Sequence, residues 1–331
     1  MVHRAQQFLS RRFMIGGTAA YAMPAGSPEA RAAKLPVQAD APPFHRFRLG
    51  AFQLTVVSDG VIVTGDPKKT FVGAPAEEIA STLSTSFLPT DRVVFDENVL
   101  VVDTGSKVIL FDTGSGSLQA YGPGAGRLFA SLEAAGIHPA DVDAVVLSHG
   151  HADHVCGLVV QGRIMFEKAQ FYINQVDHDF WLDPARATTP LKMFHQQALL
   201  NLVPVRDRLT FIKNGDEFLP GVQALPAPGH TPGHTIFTIS SGGETLAYLA
   251  DLARHHILDL EAPGLEFIGD IDPGLCIRTR TRMLDMVAAS RLPILSYHFP
   301  FPGVGHVAKW GDRYRYYPSD PSQAADPAGR P

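Results

Sequence analysis

Apolar residues fall into two kinds of pattern along this chain. Short runs rich in Val, Ile, Leu and Phe, bounded by Gly, Asp, Ser or Pro, predict β-strands. They lie at Ala51 to Val57, Val61 to Val63, Asn98 to Val102, Lys107 to Phe111, Asp141 to Leu147, Phe166 to Ile173, Leu209 to Ile212, Val222 to Leu225, Thr235 to Ile239, Leu246 to Leu249 and Pro293 to Leu295. Helical spacing of apolar residues marks Gly126 to Ala135, with Gly136 as its C-cap, then Val176 to Trp181, Leu191 to Leu202 and Arg282 to Ala289. Ser58-Asp59-Gly60 and Thr104-Gly105-Ser106 read as turns between strands, and Asp183 to Pro190 as a loop. No internal repeat at a fixed period is visible.

Three of the apolar runs end in a potential metal ligand, at His149, Asp251 and His298. The first is the densest: Val145-Val146-Leu147-Ser148 leads into His149-Gly150-His151-Ala152-Asp153-His154. Residues just past a buried strand sit at the carboxyl edge of a sheet, where sites tend to form. Imidazole suits borderline metals and a carboxylate adds a hard oxygen. A loop with four such groups wraps metal from several sides and has donors enough for two ions. The segment Pro228-Gly229-His230-Thr231-Pro232-Gly233-His234 adds His230, giving seven candidate ligands from four segments. Asp112 also follows a strand, where a catalytic role and a turn-anchoring role both stand open.

Composition narrows the context. The 331 residues are 45% hydrophobic and 18% charged, as in a globular protein, and the formal net charge of −5 argues against a dedicated nucleic-acid binder. No apolar run has the ~18–20 residues of a membrane span. The two cysteines, Cys156 and Cys276, make no disulfide framework, and Cys156, two residues past His154, is expected to be a small buried packing residue. Trp181, Met193 and Phe194 read either as core or as an apolar pocket wall.

Residues 1–34 are expected to be a twin-arginine export signal. Ser10-Arg11-Arg12-Phe13-Met14-Ile15 carries the arginine pair, with Met14 where the pattern usually has Phe, and Ala30-Arg31-Ala32 offers a cleavage site. The expected location is periplasmic or secreted. The folded domain is expected over 35–317, and residues 318–331, rich in Pro, Ser, Asp and Ala, are expected to be a disordered tail.

The His-x-His-x-Asp-His stretch resembles the signature of the metallo-β-lactamase superfamily. A narrower similarity, to the methyl parathion hydrolase group and its lactonase and aryl-ester hydrolase relatives, rests on Ser58-Asp59-Gly60, Asp103-Thr104-Gly105-Ser106-Lys107, Asp112-Thr113-Gly114, Phe180-Trp181-Leu182 and Phe301-Pro302-Gly303-Val304-Gly305-His306. The resemblance implies an α/β fold, the αβ/βα sandwich of two mixed β-sheets flanked by helices. It implies two divalent ions, zinc first, with Mn, Fe or Co also suited. One ion would take His149, His151 and His230, the other Asp153, His154 and His298, with Asp251 bridging. Asp153 and Asp251 are the implied catalytic carboxylates, and a water shared by the ions would be the nucleophile, as a bridging hydroxide. His234 is expected to orient a ligand rather than bind an ion. An aromatic pocket implies Tyr121, Trp181 and Phe194 around a small, uncharged, partly hydrophobic substrate, and a homodimer is implied.

The reading that results is a hydrolase of lactones or aryl esters, with organophosphate triester hydrolysis as the alternative. A β-lactamase is less expected, because such enzymes generally lack the bridging Asp. A binding module with a dead site is less expected because all seven positions are filled. Many acyl-homoserine lactonases of the superfamily carry a Tyr shortly after the bridging Asp. Here the segment is Asp251-Leu252-Ala253-Arg254-His255-His256, and Arg254 is expected in a surface ion pair.

Overall fold

A computed structural model of the chain describes residues 42–319. The expected export signal and residues 320–331 of the expected tail lie outside the described residues, whereas Pro318, expected in that tail, belongs to the last strand, Arg313–Pro318. Among the described residues no helix is long and apolar enough to cross a membrane.

Two seven-stranded sheets form the frame, and in each the spatial order of strands follows the chain. The first sheet comprises β1 (Phe44–Leu49), β2 (Phe52–Thr64), β3 (Val93–Asp103), β4 (Val108–Phe111), β5 (Ala144–Val146), β6 (Gln170–Asn174) and β7 (Leu209–Ile212). Strands β1 to β4 pair antiparallel and β4 to β7 parallel, so the sheet is mixed. The second comprises β8 (Glu217–Leu219), β9 (Val222–Pro226), β10 (Thr235–Ser241), β11 (Glu244–Ala250), β12 (Pro293–Ser296), β13 (Val304–Trp310) and β14 (Arg313–Pro318). All of its pairs are antiparallel except β11 with β12.

The sandwich follows from side-chain alternation. Phe237, Ile239, Leu246, Tyr248 and Leu295 join Val56, Leu100 and Phe111 of the first sheet in one core. Their neighbours Ile236, Ala247, Leu249 and Ile294 turn to the opposite face and pack on Met283, Leu284 and Val287. Residues i and i+2 of a strand share a face, so a near-continuous apolar run marks a strand buried on both sides. Helices α1 (Ala76–Thr85), α2 (Leu128–Ala134), α3 (Gln175–Leu182), α4 (Lys192–Leu202) and α5 (Pro273–Ala289) complete the layers.

Several expectations are corrected. Ser58-Asp59-Gly60 is a bulge inside one long strand, not a turn between two. Asp59 is buried there, and its carboxylate accepts from the backbone N–H groups of Ser115, Gly126 and Leu128. A bulge bends the strand without ending it. Helix α5 starts at Pro273, nine residues before Arg282: the Asp272 carboxylate accepts from Leu275 N–H, and proline suits the first turn. The Arg- and Thr-rich stretch that follows hides this start from an apolar-spacing reading. Strands β1, β8, β13 and β14 and helix α1 were not foreseen. Strands β1, β13 and β14 interleave charged residues or histidine with their apolar ones, which breaks up the apolar run, and β8 is only three residues long. The expected loop at Asp183 to Pro190 contains a short 3₁₀ turn, Pro184–Thr188.

Candidate metal centre

The ligand candidates come together where strands end. His149 lies three residues past β5, Asp251 directly follows β11, His298 lies two residues past β12, and His230 sits in the loop between β9 and β10. Ala250 has φ +44°, a left-handed conformation rare for alanine, which turns the chain at the residue before Asp251. Three groups of converging donor atoms result: His149 with His151 and His230, His149 with His154 and Asp251, and Asp153 with His154 and His298. Asp251 spans the groups: its Oδ1 is 3.1 Å from His154 Nε2, and its Oδ2 is 3.2 Å from His230 Nε2 and 3.3 Å from His298 Nε2.

Backbone and side-chain anchors fix which nitrogen faces inward. The Nδ1–H groups donate outward: His149 to Ser148 Oγ at 3.0 Å, His154 to Asp112 Oδ2 at 3.0 Å, His230 to Asp270 Oδ1 at 2.8 Å and His298 to the Asp96 carbonyl at 2.8 Å. Their Nε2 lone pairs are thereby turned to the centre, which is how a hydrogen-bond partner selects the tautomer of a ligating histidine. His151 differs, presenting Nδ1 at 3.0 Å from His149 Nε2 and 2.9 Å from His230 Nε2. His234 faces elsewhere: it donates from Nδ1 to the Ala227 carbonyl and accepts at Nε2 from the Asp251 backbone N–H at 3.1 Å. It thus orients Asp251.

These donors fit cations. Unprotonated nitrogens at about 3 Å repel unless a positive charge lies between them, and His154 Nε2 and Asp251 Oδ1 are buried with no hydrogen-bond partner. Burial, and then the charge of neighbouring histidines, holds His149 and His151 well below the ordinary imidazole value, so they present lone pairs. Burial opposes charge on His154 and His298 too, yet Asp251 and its neighbouring carboxylates raise both. The carboxylates recruit positive charge at the positions that cations would take.

Asp112 settles as an anchor. It is fully buried with φ +62°, and its carboxylate accepts from Ser148 N–H, Ser148 Oγ–H, Tyr248 O–H and His154 Nδ1–H. Asp177 was not foreseen: it accepts from Gly150 N–H at 2.7 Å, from Gly233 N–H at 3.0 Å and from Thr231 Oγ–H, bridging the two ligand loops. A buried aspartate in a helix's first turn gives no sequence signal that separates it from a solvent-facing one. Cys156 is buried, as expected, and so is Cys276, with no disulfide between them.

His151, Asp153, His230, Asp251 and His298 line a cavity of about 540 Å³. Tyr121 and Phe194 line it, and Tyr121 O–H donates to Asp153 Oδ1 at 3.3 Å. Trp181 does not reach the cavity: fully buried, it packs behind His151 at a ring separation of 5.0 Å, which corrects its expected place in the wall. Further lining, which the sequence did not disclose, comes from Ile62, Val63, Phe95, Phe267 and Ile268, and Tyr121 packs in the same apolar cluster as Ile62, Phe95 and Phe267. Arg254 is also corrected. It is 1% exposed rather than on the surface, because two buried carboxylates, Asp259 and Asp270, compensate its charge.

A comparison with curated protein sequences gives no match. Among solved structures, the chain is similar to AidC, a dizinc quorum-quenching lactonase in complex with a product (28% identity over 84% of this chain and 97% of that one, TM-score 0.79). It is also similar to the hydrolase AbOPH of the β-lactamase superfamily (27% identity, 85% and 98% covered, TM-score 0.78). A probable metal-dependent hydrolase from Staphylococcus aureus shares the fold at 20% identity, with 82% and 99% covered and TM-score 0.69. The metallo-β-lactamase superfamily pattern matches residues 92–298, which contain all seven ligand candidates. The chain belongs to the metallo-β-lactamase superfamily and is a metal-dependent hydrolase.

Proposed function

We propose that the protein is a dinuclear metal hydrolase of lactones or aryl esters. The observation that carries this reading is the set of seven converging donors, of which His151, Asp153, His230, Asp251 and His298 line a largely apolar cavity while His149 and His154 lie buried behind them. His149, His151 and His230 would hold one ion and Asp153, His154 and His298 the other. Two divalent cations there would lower the pKa of a coordinated water and polarise the carbonyl under attack. Zinc suits the donors, as it does in AidC, and Mn, Fe or Co suit them too.

The residues of the chain supply the rest. Asp153 lies at the edge of the cavity, where its carboxylate takes a proton from the nucleophilic water and delivers it to the leaving oxygen. Burial, and then the charge of Asp153, keeps the Tyr121 hydroxyl protonated, so it serves as a donor to Asp153 Oδ1 or to a substrate oxygen. The aromatic and aliphatic walls exclude bulk water and select an uncharged, partly hydrophobic substrate.

The test is hydrolysis of an aryl lactone, an acyl-homoserine lactone, a phenyl ester, a phosphotriester and a cephalosporin by metal-loaded protein, with Asp251→Ala as control. Lactone or ester turnover that disappears in the control supports the reading. Phosphotriester turnover alone replaces it with the organophosphate alternative, since an apolar wall accepts a neutral triester equally well. No turnover with two ions bound rejects the substrate class.

A further inference from the structure

His230 is the ligand candidate with the longest chain of support behind it. Its Nδ1–H donates to Asp270, which is ion-paired with Arg254. Arg254 pairs in turn with Asp259 at 3.2 Å, and Asp259 with Arg280 at 2.7 Å. All five side chains are buried, and two arginines balance two aspartates, so the row stays charge-compensated out of water. The Arg254 guanidinium also lies over the Phe267 ring, 4.4 Å from its centroid. Phe267 and Ile268 form part of the cavity wall, and Asp270 follows two residues later in the same segment. That segment is tied to the ligand loop a second time, by Ile271 N–H donating to the His230 carbonyl at 3.0 Å.

We propose that Arg254 is a positioning residue for the reaction, fixing the His230 ring through Asp270 and the substrate-facing Phe267 ring at once. Its place, three residues past Asp251, puts it between the metal donors and the wall that touches substrate. The inference rests on the dinuclear reading for its metal, but it concerns residues that no comparison assigns. Lysine cannot replace this arginine. A point charge on a flexible stem cannot engage Asp259 and Asp270 with separate nitrogens and also lie flat over a ring.

The experiment compares Arg254→Lys, Asp270→Asn and Phe267→Leu with the unaltered protein. Zinc affinity is measured by competition with a chromophoric chelator, kcat and KM with the lactone that the unaltered protein turns over best, and melting in the metal-free state. Asp270→Asn is expected to weaken one of the two ions by about 10–100-fold and to leave KM near its starting value. Phe267→Leu is expected to raise KM several-fold with both ion affinities unchanged. Arg254→Lys is expected to do both. An Arg254→Lys protein that melts earlier but keeps both ion affinities and KM would have lost only structural support, and the proposal would be wrong. The Asn and Leu variants keep the test open should Arg254→Lys not fold: the proposal then stands on the split between them and falls if both change the same quantity. An unaltered protein that binds no ion would overturn the dinuclear reading itself, and this inference with it.

Discussion

The Asp177 carboxylate lies 2.7 Å from the backbone nitrogen of Gly150, the residue between His149 and His151. Its second oxygen takes the Gly233 N–H and the Thr231 hydroxyl from the other ligand loop. Replacement by alanine leaves these buried donors unsatisfied. Asp177→Ala is expected to lower stability by about 3 kcal/mol and to weaken metal binding, read by urea denaturation and chelator competition. An unchanged unfolding midpoint would mean that the loops hold their places without this carboxylate.

Gly150 itself has no room for a side chain. A Cβ there would stand 2.4 Å from Trp181 Cδ1. Gly150→Ala is expected to cost about 1–3 kcal/mol by overpacking and to shift tryptophan emission. Pairing it with Trp181→Phe, a smaller ring, should recover part of that loss. Simple addition of the two losses would contradict the contact.

Glu97 sets a pH dependence. It is buried, accepts from Ser115 Oγ–H, and has an unpartnered Oε2. Burial, and then the charges of Asp59 and Asp153, push its carboxyl well above the usual 4.5. An acid raised by folding contributes its full stability below its unfolded pKa and loses it as pH climbs toward the folded value. The slope is about 1.4 kcal/mol per pH unit in that window. Glu97→Gln carries no such loss, so its stability relative to the unaltered protein should rise from pH 5 to pH 8. A constant difference would show that Glu97 ionises in the fold as it does in water.

Removing metal should loosen the whole site. The carboxylates and unprotonated imidazoles gathered there favour a bound cation, and an ion that binds only the folded chain stabilises it by mass action, about 2.7 kcal/mol at a hundredfold excess over Kd. Chelator treatment is expected to lower the melting temperature, and zinc at increasing concentration to restore it progressively. A melting temperature indifferent to chelator and zinc alike would contradict the metal centre.

The positions of the candidate ligands were legible because His149, Asp251 and His298 mark strand ends by a change of residue type, and the structure brings these side chains together. The supports were not legible, because their meaning lies in long-range pairing. Asp270 is 40 residues from His230, and Arg254 reads as a surface residue until Asp259 and Asp270 close around it. Ser58-Asp59-Gly60 has turn composition, yet three distant N–H groups engage Asp59 and keep the strand running. The wall at Phe267 and Ile268 lacks any periodic signal, since it lies in a two-residue strand and the loop after it.

Because both seven-stranded sheets follow chain order, the described residues pass from one to the other once, between Ile212 and Glu217. The stretch before that crossing carries His149, His151, Asp153 and His154, and the stretch after it carries His230, Asp251 and His298. Neither ion of the proposed centre could complete its coordination from one stretch alone. A chain nicked between residues 213 and 216 would therefore make metal capture an assay for reassembly, with ion uptake appearing only when the two fragments find each other.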